Sequence, residues 1–339
     1  MLSHIKKLLL KFLVLGLFVA AVAAYWAWHE YSQFLQTPLD LPPEGVVFQI
    51  PRGASVAAVA QDLESRQLIS RSDWLRVHAR LDYQGEMIKA GEYELLPGLT
   101  PAALFALFVS GKTVSYSITL IEGWSFKQVM AEIEAHPALR QTLSGMSPQA
   151  IMQKLGHADE HPEGRFFPDT YSFQRDTTDL ELLRRAHDRM SRLLQDAWAE
   201  RDENISLKTP YEALILASIV EKETGAASER GEISGVFSRR LRKGMKLQTD
   251  PTVIYGMGDR YKGNIRRKDL TEDTPYNTYV HTGLPPTPIC MPGADAIAAA
   301  VKPKAGKSLY FVAKGDGSHQ FSNTLRQHNN AVRKYQLKK

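Results

Sequence analysis

Two glutamates close the apolar segment LILASIVEKETG, which runs from Leu214 to Gly225. Its large apolar residues recur at helical spacing, and Glu223 occupies the next position on their face of the predicted helix. Glu221 lies about 200° around the helix from Glu223, so these two carboxylates cannot form a catalytic pair by themselves. Chemistry at this segment therefore requires a partner from elsewhere in the chain.

The position of Glu223 favours a protonated carboxyl group. It prolongs the apolar face, and it also lies in the last helical turn, because Gly225 is expected to end the helix. Burial and the helix dipole both disfavour a negative charge there and raise the pKa of a carboxylic acid. A carboxyl group protonated near neutral pH can act as the general acid that cleaves a glycosidic bond. The alternative is that Glu221, Lys222 and Glu223 form a solvated helix end without function.

Two downstream segments carry the residue types that bind sugars. They are LQTDPTVIYG, from Leu247 to Gly256, and TPYNTYVHTGLPPTPICMPG, from Thr274 to Gly293. Polar side chains ligate sugar hydroxyls, aromatic rings stack on pyranose rings, and prolines stiffen loops at low ordering cost. We expect both segments to line a groove beside Glu223. The alternative, that they are structural turns, accounts for their prolines.

The N-terminal segment predicts a membrane anchor. Lysines within residues 6–11 precede an uncharged apolar stretch, and residues 8–28 would extend about 30 Å, the thickness of a hydrocarbon core. The basic flank predicts a cytoplasmic tail over residues 1–7 and places the chain from His29 onward outside. A cleaved signal peptide is the alternative, because residues 21–23 resemble a processing site. The apolar run continues beyond that site, which favours the anchor.

Three segments share one pattern of strand, glycine turn and helix after a proline-rich spacer over residues 29–44. In each, a hydroxyl residue (Ser55, Thr100 or Ser125) stands two positions after a glycine as a helix N-cap. These are either ordinary strand-to-helix connections or a small glycan-binding region over residues 45–135 that resembles LysM-like units. Repetition favours the second interpretation.

Composition narrows the classes of function and ligand. The formal net charge is +5 over 339 residues, and the basic residues lack interleaved aromatics, so nucleic acid is not indicated. The single cysteine, Cys290, excludes an internal disulfide, and no Cys/His cluster has zinc-ligand spacing. We expect no metal and no other cofactor. We interpret Cys290, His187, His319 and His328 as structural.

The chain resembles the YceG-like (MltG-type) family of endolytic murein transglycosylases. The resemblance takes in the anchor, the LysM-like region and the motifs EGRFFPDTY, ASIVEKET, RLRKGMKLQTDPTVIYG, YNTYVHTGLPPTPI and YFVAKGDGSHQFSNTLRQHN. It implies a single-pass enzyme of the bacterial inner membrane with its bulk in the periplasm. Such an enzyme cleaves MurNAc-GlcNAc bonds in nascent peptidoglycan strands and leaves 1,6-anhydro-MurNAc ends. Bifunctional peptidoglycan synthases are implied as partners.

The resemblance places the family's catalytic glutamate, the second of its E-K-E-T motif, on Glu223. This residue would protonate the glycosidic oxygen and then accept the proton of the sugar's C6 hydroxyl, which attacks the anomeric carbon. The expected sugar ligands are Gln248, Asp250, Tyr255, Asn277 and Tyr279. The expected supporting residues are Glu163, Asp169, Thr224 and Glu221, of which Glu221 is also the alternative acid.

We predict an α+β fold with one transmembrane helix, a small LysM-like strand-helix module, a connector over residues 136–160 and a mixed α/β catalytic domain over residues 161–339. Strands are expected around 252–254 and 309–313, and a helix capped by Asp179 is expected to run to about Arg201. Two other functions stay open. One is a muramidase-type hydrolase, in which water replaces the C6 hydroxyl, and the other is a wall-binding scaffold without activity.

Overall fold

A computed structural model describes residues 2–84 and 86–337. Within these residues the chain forms twelve α-helices and six strands, and the strands pair into three two-stranded sheets. The coarse prediction of a mixed helix and strand protein is confirmed. The chain divides after Tyr116 into two compact units, each with a hydrophobic core of its own.

The first unit packs helices against one antiparallel strand pair. Strands β1 and β2 pair with Phe48 opposite Tyr93, and both side chains are buried. The Tyr93 hydroxyl donates to the carbonyl oxygens of Lys89 (2.7 Å) and Phe108 (3.1 Å), which satisfies the one polar atom of that ring. In chain order the elements are α1 (Leu2–Gln36), β1 (Val46–Ile50), α2 (Val56–Ser65), α3 (Ser72–Asp82), β2 (Gly91–Leu95) and α4 (Pro101–Ser110).

The predicted strand, turn and helix pattern is confirmed at the level of local structure. Ser55 and Thr100 adopt extended backbone, and their side chains accept hydrogen bonds from the third residue of α2 and of α4. Gly53 and Gly98 precede them with φ of 79° and 88°, which favours glycine because a Cβ is strained in that conformation. The caps are therefore set by local sequence.

Helix α1 extends further than the predicted anchor. The large apolar side chains between Ile5 and Trp28 are exposed, and α1 is the one helix among the described residues that is long and apolar enough to cross a membrane. Its last turns differ, because Tyr31 and Phe34 are buried in the core of the first unit. The start of the predicted spacer is thus helical, since two aromatic residues at i and i+3 share one buried face.

The second unit begins within β3 and is built around α8. Helices α7, α9, α10 and α11 all pack against it, and every residue from Ala213 to Val220 is buried. In chain order the elements are β3 (Tyr116–Thr119), α5 (Phe126–Ala135), α6 (Pro148–Leu155), β4 (Thr170–Phe173), α7 (Asp179–Ala199), α8 (Pro210–Glu223), α9 (Arg230–Arg242), α10 (Asp250–Met257), α11 (Ala294–Val301), β5 (Tyr310–Ala313), β6 (His319–Ser322) and α12 (Leu325–Tyr335). β3 pairs with β4, and β5 pairs antiparallel with β6.

Two local predictions in this unit are wrong. Residues 252–254 lie in helix α10 and not in a strand, because Pro251 stands in the first helical turn and fixes a helical φ. Thr178 and not Asp179 caps α7, in a capping box with Glu181. The predicted strand at 309–313 is confirmed by β5.

The carboxylate of Asp179 holds the segment before α6 instead of capping α7. It is fully buried and accepts hydrogen bonds from the backbone N–H groups of Thr142 (2.8 Å) and Leu143 (2.9 Å) and from the Thr142 hydroxyl (2.5 Å). This carboxylate therefore ties α7 to a loop that has little regular hydrogen bonding.

Asp179→Ala should destabilise the protein by about 2–4 kcal/mol, because it removes the acceptor of the buried Leu143 N–H and of the partly buried Thr142 N–H. Urea unfolding of the full chain measures this loss. Asp196→Ala is the matched control, since Asp196 is exposed on the same helix. Equal stability of the two variants would contradict this role of Asp179.

Candidate active site

A cavity of about 430 Å³ opens at the C-terminal end of α8. Its walls come from α8, the start of α10, the β5–β6 hairpin and α12. Its polar lining residues are Glu223, Arg240, Gln248, Asp250, Tyr279, Tyr310, His319, His328 and Gln336. The cavity therefore combines carboxyl, amide, hydroxyl and basic groups with aromatic rings, a composition suited to a polar ligand with ring faces.

Glu223 is the last residue of α8, and its side chain is partly exposed into this cavity. One carboxyl oxygen accepts a hydrogen bond from the Thr249 hydroxyl. The next residue, Thr224, is extended and donates its hydroxyl to the carbonyl oxygen of Val220 at 2.6 Å. The helix ends where predicted, but through Thr224, because Gly225 does not adopt a left-handed conformation.

The surroundings of Glu223 favour its protonated form. Burial is the largest cause and raises the pKa of Glu223, and the neighbouring Asp250 carboxylate raises it further. The hydrogen bond from Thr249 and the proximity of His319 act in the opposite direction. Desolvation outweighs both, so the carboxyl group is predisposed to donate a proton.

Three of the residues expected to bind sugar share the cavity with Glu223. Asp250 accepts a hydrogen bond from the Tyr279 hydroxyl at 2.6 Å, which joins the start of α10 to the loop after residue 274. Gln248 has a positive φ of 50° and is held by the hydrogen bond from its N–H to the Thr278 carbonyl (3.1 Å). A left-handed glutamine is uncommon, and such residues concentrate at functional sites.

Asn277 does not line the cavity. It is fully buried, and its amide nitrogen donates to the carbonyl oxygens of Asp269 (3.1 Å) and Glu272 (2.7 Å). Its amide oxygen accepts from the N–H of Tyr279 at 2.9 Å. All of these partners are backbone groups, so Asn277 shapes the loop that carries Tyr279 and is not available to a sugar.

Tyr255 and Glu163 lie together away from Glu223. The Tyr255 hydroxyl donates to Glu163 at 3.0 Å, and the other Glu163 oxygen accepts from the N–H of Phe126 at 2.9 Å. Burial raises the pKa of Glu163 to about 7. Both side chains line a second cavity, of about 570 Å³. Asp169 is ion-paired with Arg189 and does not line the cavity at Glu223.

Glu221 also faces away from the cavity. Its side chain is 8% exposed and lies 3.7 Å from the guanidinium of Arg230. It accepts a hydrogen bond from the N–H of Gly293 at 3.0 Å. These contacts couple α8 to the starts of α9 and α11, so Glu221 has the environment of a structural carboxylate.

Five polar cavity residues were missed by reasoning from the sequence, namely Arg240, Tyr310, His319, His328 and Gln336. Arg240 is buried, donates to the carbonyl oxygens of Leu309 (2.7 Å) and Leu247 (2.8 Å), and lies over the Tyr310 ring at 5.0 Å. His319 was interpreted as structural, yet its ring lines the cavity. Both belong to motifs of the family resemblance, which was the signal that could have identified them.

Three side chains outside the cavity have the donor atoms of a metal site. The ligating atoms of His157, Glu160 and His187 lie within 4.8 Å of one another. However, Glu160 is hydrogen-bonded to His187 at 3.0 Å and lies 3.4 Å from the Nε of Arg165. The charge of the Glu160 carboxylate is therefore already balanced by Arg165. Burial lowers the pKa of His187, which favours the neutral form of its ring.

Comparisons with known proteins agree with the resemblance in the motifs. A model of the YceG-like family matches residues 48–334. An endolytic murein transglycosylase of Bacillus subtilis (strain 168) is 32% identical over 90% of this chain and 89% of its own length. One from Streptococcus pneumoniae (strain R6) is 26% identical over 97% of this chain and 65% of its own length.

A solved structure supports the same relationship. The crystal structure of a putative YceG-like protein from Listeria monocytogenes is 29% identical to this chain and superposes with a TM-score of 0.54. The match covers 85% of this chain and 99% of the Listeria chain. The chain belongs to the YceG-like family.

Proposed function

We propose that this protein is a membrane-anchored endolytic lytic transglycosylase of peptidoglycan, with Glu223 as its general acid and base. The observation that supports this most is the carboxyl group of Glu223, which has a raised pKa and opens into a cavity lined by polar and aromatic side chains. The names of the Bacillus and Streptococcus relatives supply the substrate class.

Glu223 begins the reaction by protonating the glycosidic oxygen between MurNAc and GlcNAc, which breaks the bond from that oxygen to the anomeric carbon. The C6 hydroxyl of MurNAc then attacks the anomeric carbon, and its proton goes to the Glu223 carboxylate. The product is a 1,6-anhydro-MurNAc end, and Glu223 is protonated again. The Thr249 hydroxyl stabilises the carboxylate between these steps, because it donates to one of its oxygens.

The remaining cavity groups bind the sugar. Gln248, Asp250 and Tyr279 are the proposed ligands of hydroxyl and acetamido groups, because they share the cavity with Glu223. The other expected site residues do not contact the sugar in this proposal. They support the elements that carry the sugar ligands, and they are Tyr255, Asn277, Glu163, Asp169, Thr224 and Glu221.

The first unit anchors the enzyme and binds glycan in this proposal. Helix α1 spans the inner membrane with its lysines on the cytoplasmic side and the bulk of the chain in the periplasm. Residues 45–135 act as the LysM-like glycan-binding region, of which the third strand and helix belong to the second unit. Bifunctional peptidoglycan synthases remain the proposed partners.

Glu223→Gln should lower glycan cleavage by at least about 10³-fold, because the amide cannot donate the required proton. Glu221→Gln is the matched control on the same helix and should retain cleavage. Uncrosslinked nascent glycan is digested, and mass spectrometry identifies the product ends. Anhydro ends support the transglycosylase, and reducing ends would identify a hydrolase. A wild type that binds but never cleaves glycan would indicate the scaffold.

Two substitutions beside Glu223 should move the pH dependence of cleavage in opposite directions. Activity falls as pH rises through the pKa of Glu223, because the acid must be protonated. Thr249→Val removes a hydrogen bond that lowers this pKa, so the alkaline limb of kcat/KM should move to higher pH.

Asp250→Asn removes a charge that raises the pKa of Glu223, so the same limb should move to lower pH. Asparagine can still accept from Tyr279, which limits structural change. Shifts of both variants in one direction, or no shift, would show that Glu223 does not control this limb.

Removal of residues 1–28 should release the protein into the soluble fraction, whereas the full chain should resist alkaline extraction from membranes. The truncation retains Tyr31 and Phe34, which are both buried in the first unit. Fractionation and the mass of the N-terminal peptide test this. A full chain cleaved after Ala23 and found in the soluble fraction would favour the signal peptide.

A further inference from the structure

A histidine and a glutamate form a partly buried pair at the wall of the cavity that contains Glu223. The Nδ1 atom of His319 lies 2.7 Å from Oε2 of Glu229. The backbone N–H of His319 also donates to both Glu229 oxygens at 3.1 Å. The two side chains are 12% and 17% exposed, so water competes little for these bonds.

The pair connects the cavity hairpin to the chain that follows Glu223. Glu229 ends a short 3-10 turn between α8 and α9, and His319 begins β6. Close to it, a Cβ placed on Gly225 would lie 3.6 Å from the carbonyl oxygen of Gly317 in the hairpin turn. The hairpin is thus seated against the residues immediately after Glu223.

The contacts determine the orientation and the tautomer of the ring. An ionised carboxylate only accepts hydrogen bonds, so Nδ1 of His319 must carry the proton. In the neutral ring the lone pair then resides on Nε2, as in other histidines oriented by a carboxylate. Phe311 packs edge-on to the ring at 5.3 Å between centroids and restricts its rotation. Nε2 is the ring nitrogen that Glu229 does not engage, and His319 lines the cavity.

His319 and Glu223 line the same cavity, so one bound sugar can contact both side chains.

We propose that His319 contacts the substrate and accepts a hydrogen bond on Nε2 from the C6 hydroxyl that attacks the anomeric carbon, with Glu229 as the residue that positions it. This inference rests on the proposed function. Glu223 first gives its proton to the leaving oxygen, and the glycosidic bond breaks. The C6 hydroxyl then turns its hydrogen from Nε2 to the Glu223 carboxylate, which takes this proton as the bond from O6 to the anomeric carbon forms. His319 orients O6 and keeps no proton.

His319→Ala should lower kcat about 100-fold with KM changed less than about threefold, because the nucleophile is no longer held for attack. The fraction of reducing ends should rise, since water then competes with the C6 hydroxyl. Imidazole should restore part of kcat in this variant. Glu229→Gln should lower kcat about 10-fold with the same shift of products.

His281→Gln is the matched control, because His281 forms an equally short 2.7 Å bond to Asp273 but does not line the cavity. It should cleave like the wild type. All variants are assayed as full chains in detergent on uncrosslinked glycan, with kcat, KM and product ends measured together.

The outcomes separate this inference from the proposed function. A wild type without cleavage contradicts the proposed function. Cleavage by His319→Ala with wild-type kcat and anhydro ends overturns only the role of His319. Loss of kcat with a lower melting temperature, unchanged product ends and no response to imidazole also overturns it, because that is the signature of a structural residue.

Discussion

The cavity depends on the hydrogen bond between Thr249 and Glu223, which joins the end of α8 to the start of α10. α8 is buried from Ala213 to Val220, and its terminal residue Glu223 is only partly exposed, into the cavity. The Thr249 hydroxyl donates a hydrogen bond to one oxygen of Glu223, and the side chain of Glu223 also lines the cavity. This arrangement keeps a carboxyl group desolvated and yet accessible to a ligand, which are opposing requirements for a protein interior.

The polar groups at the end of α8 are satisfied by segments distant in sequence. Ser218 accepts from the N–H of Ile289, Glu221 accepts from Gly293, and Lys222 donates to the Gly123 carbonyl. The bonds of Ser218 and Glu221 are shielded from water, so breaking them would cost free energy. The loops around the cavity are consequently held by the same helix that carries Glu223, and this helix positions both the acid and the walls.

Reasoning from the sequence succeeded where the determinants were local. The caps at Ser55, Thr100 and Ser125 and the end of α8 follow from residues a few positions apart. It failed where β-branched residues suggested a strand at 252–254, because the turn geometry of Pro251 and the packing of α10 on α8 override that propensity. The sequence predicted the coarse fold class, but it did not predict that Asn277 and Tyr255 lie outside the cavity at Glu223.

The sequence by itself determined that one helix ends in a carboxyl group on an apolar face, that an N-terminal helix can cross a membrane, and that motifs of one family are present. Only the tertiary structure decided which polar residues meet Glu223. Asn277 is engaged by backbone carbonyls a few residues away, whereas His319 reaches the cavity through Glu229, 90 positions earlier. The residue type gives the donors and acceptors of a side chain. Which partner they bind depends on tertiary packing, which a local sequence pattern does not specify.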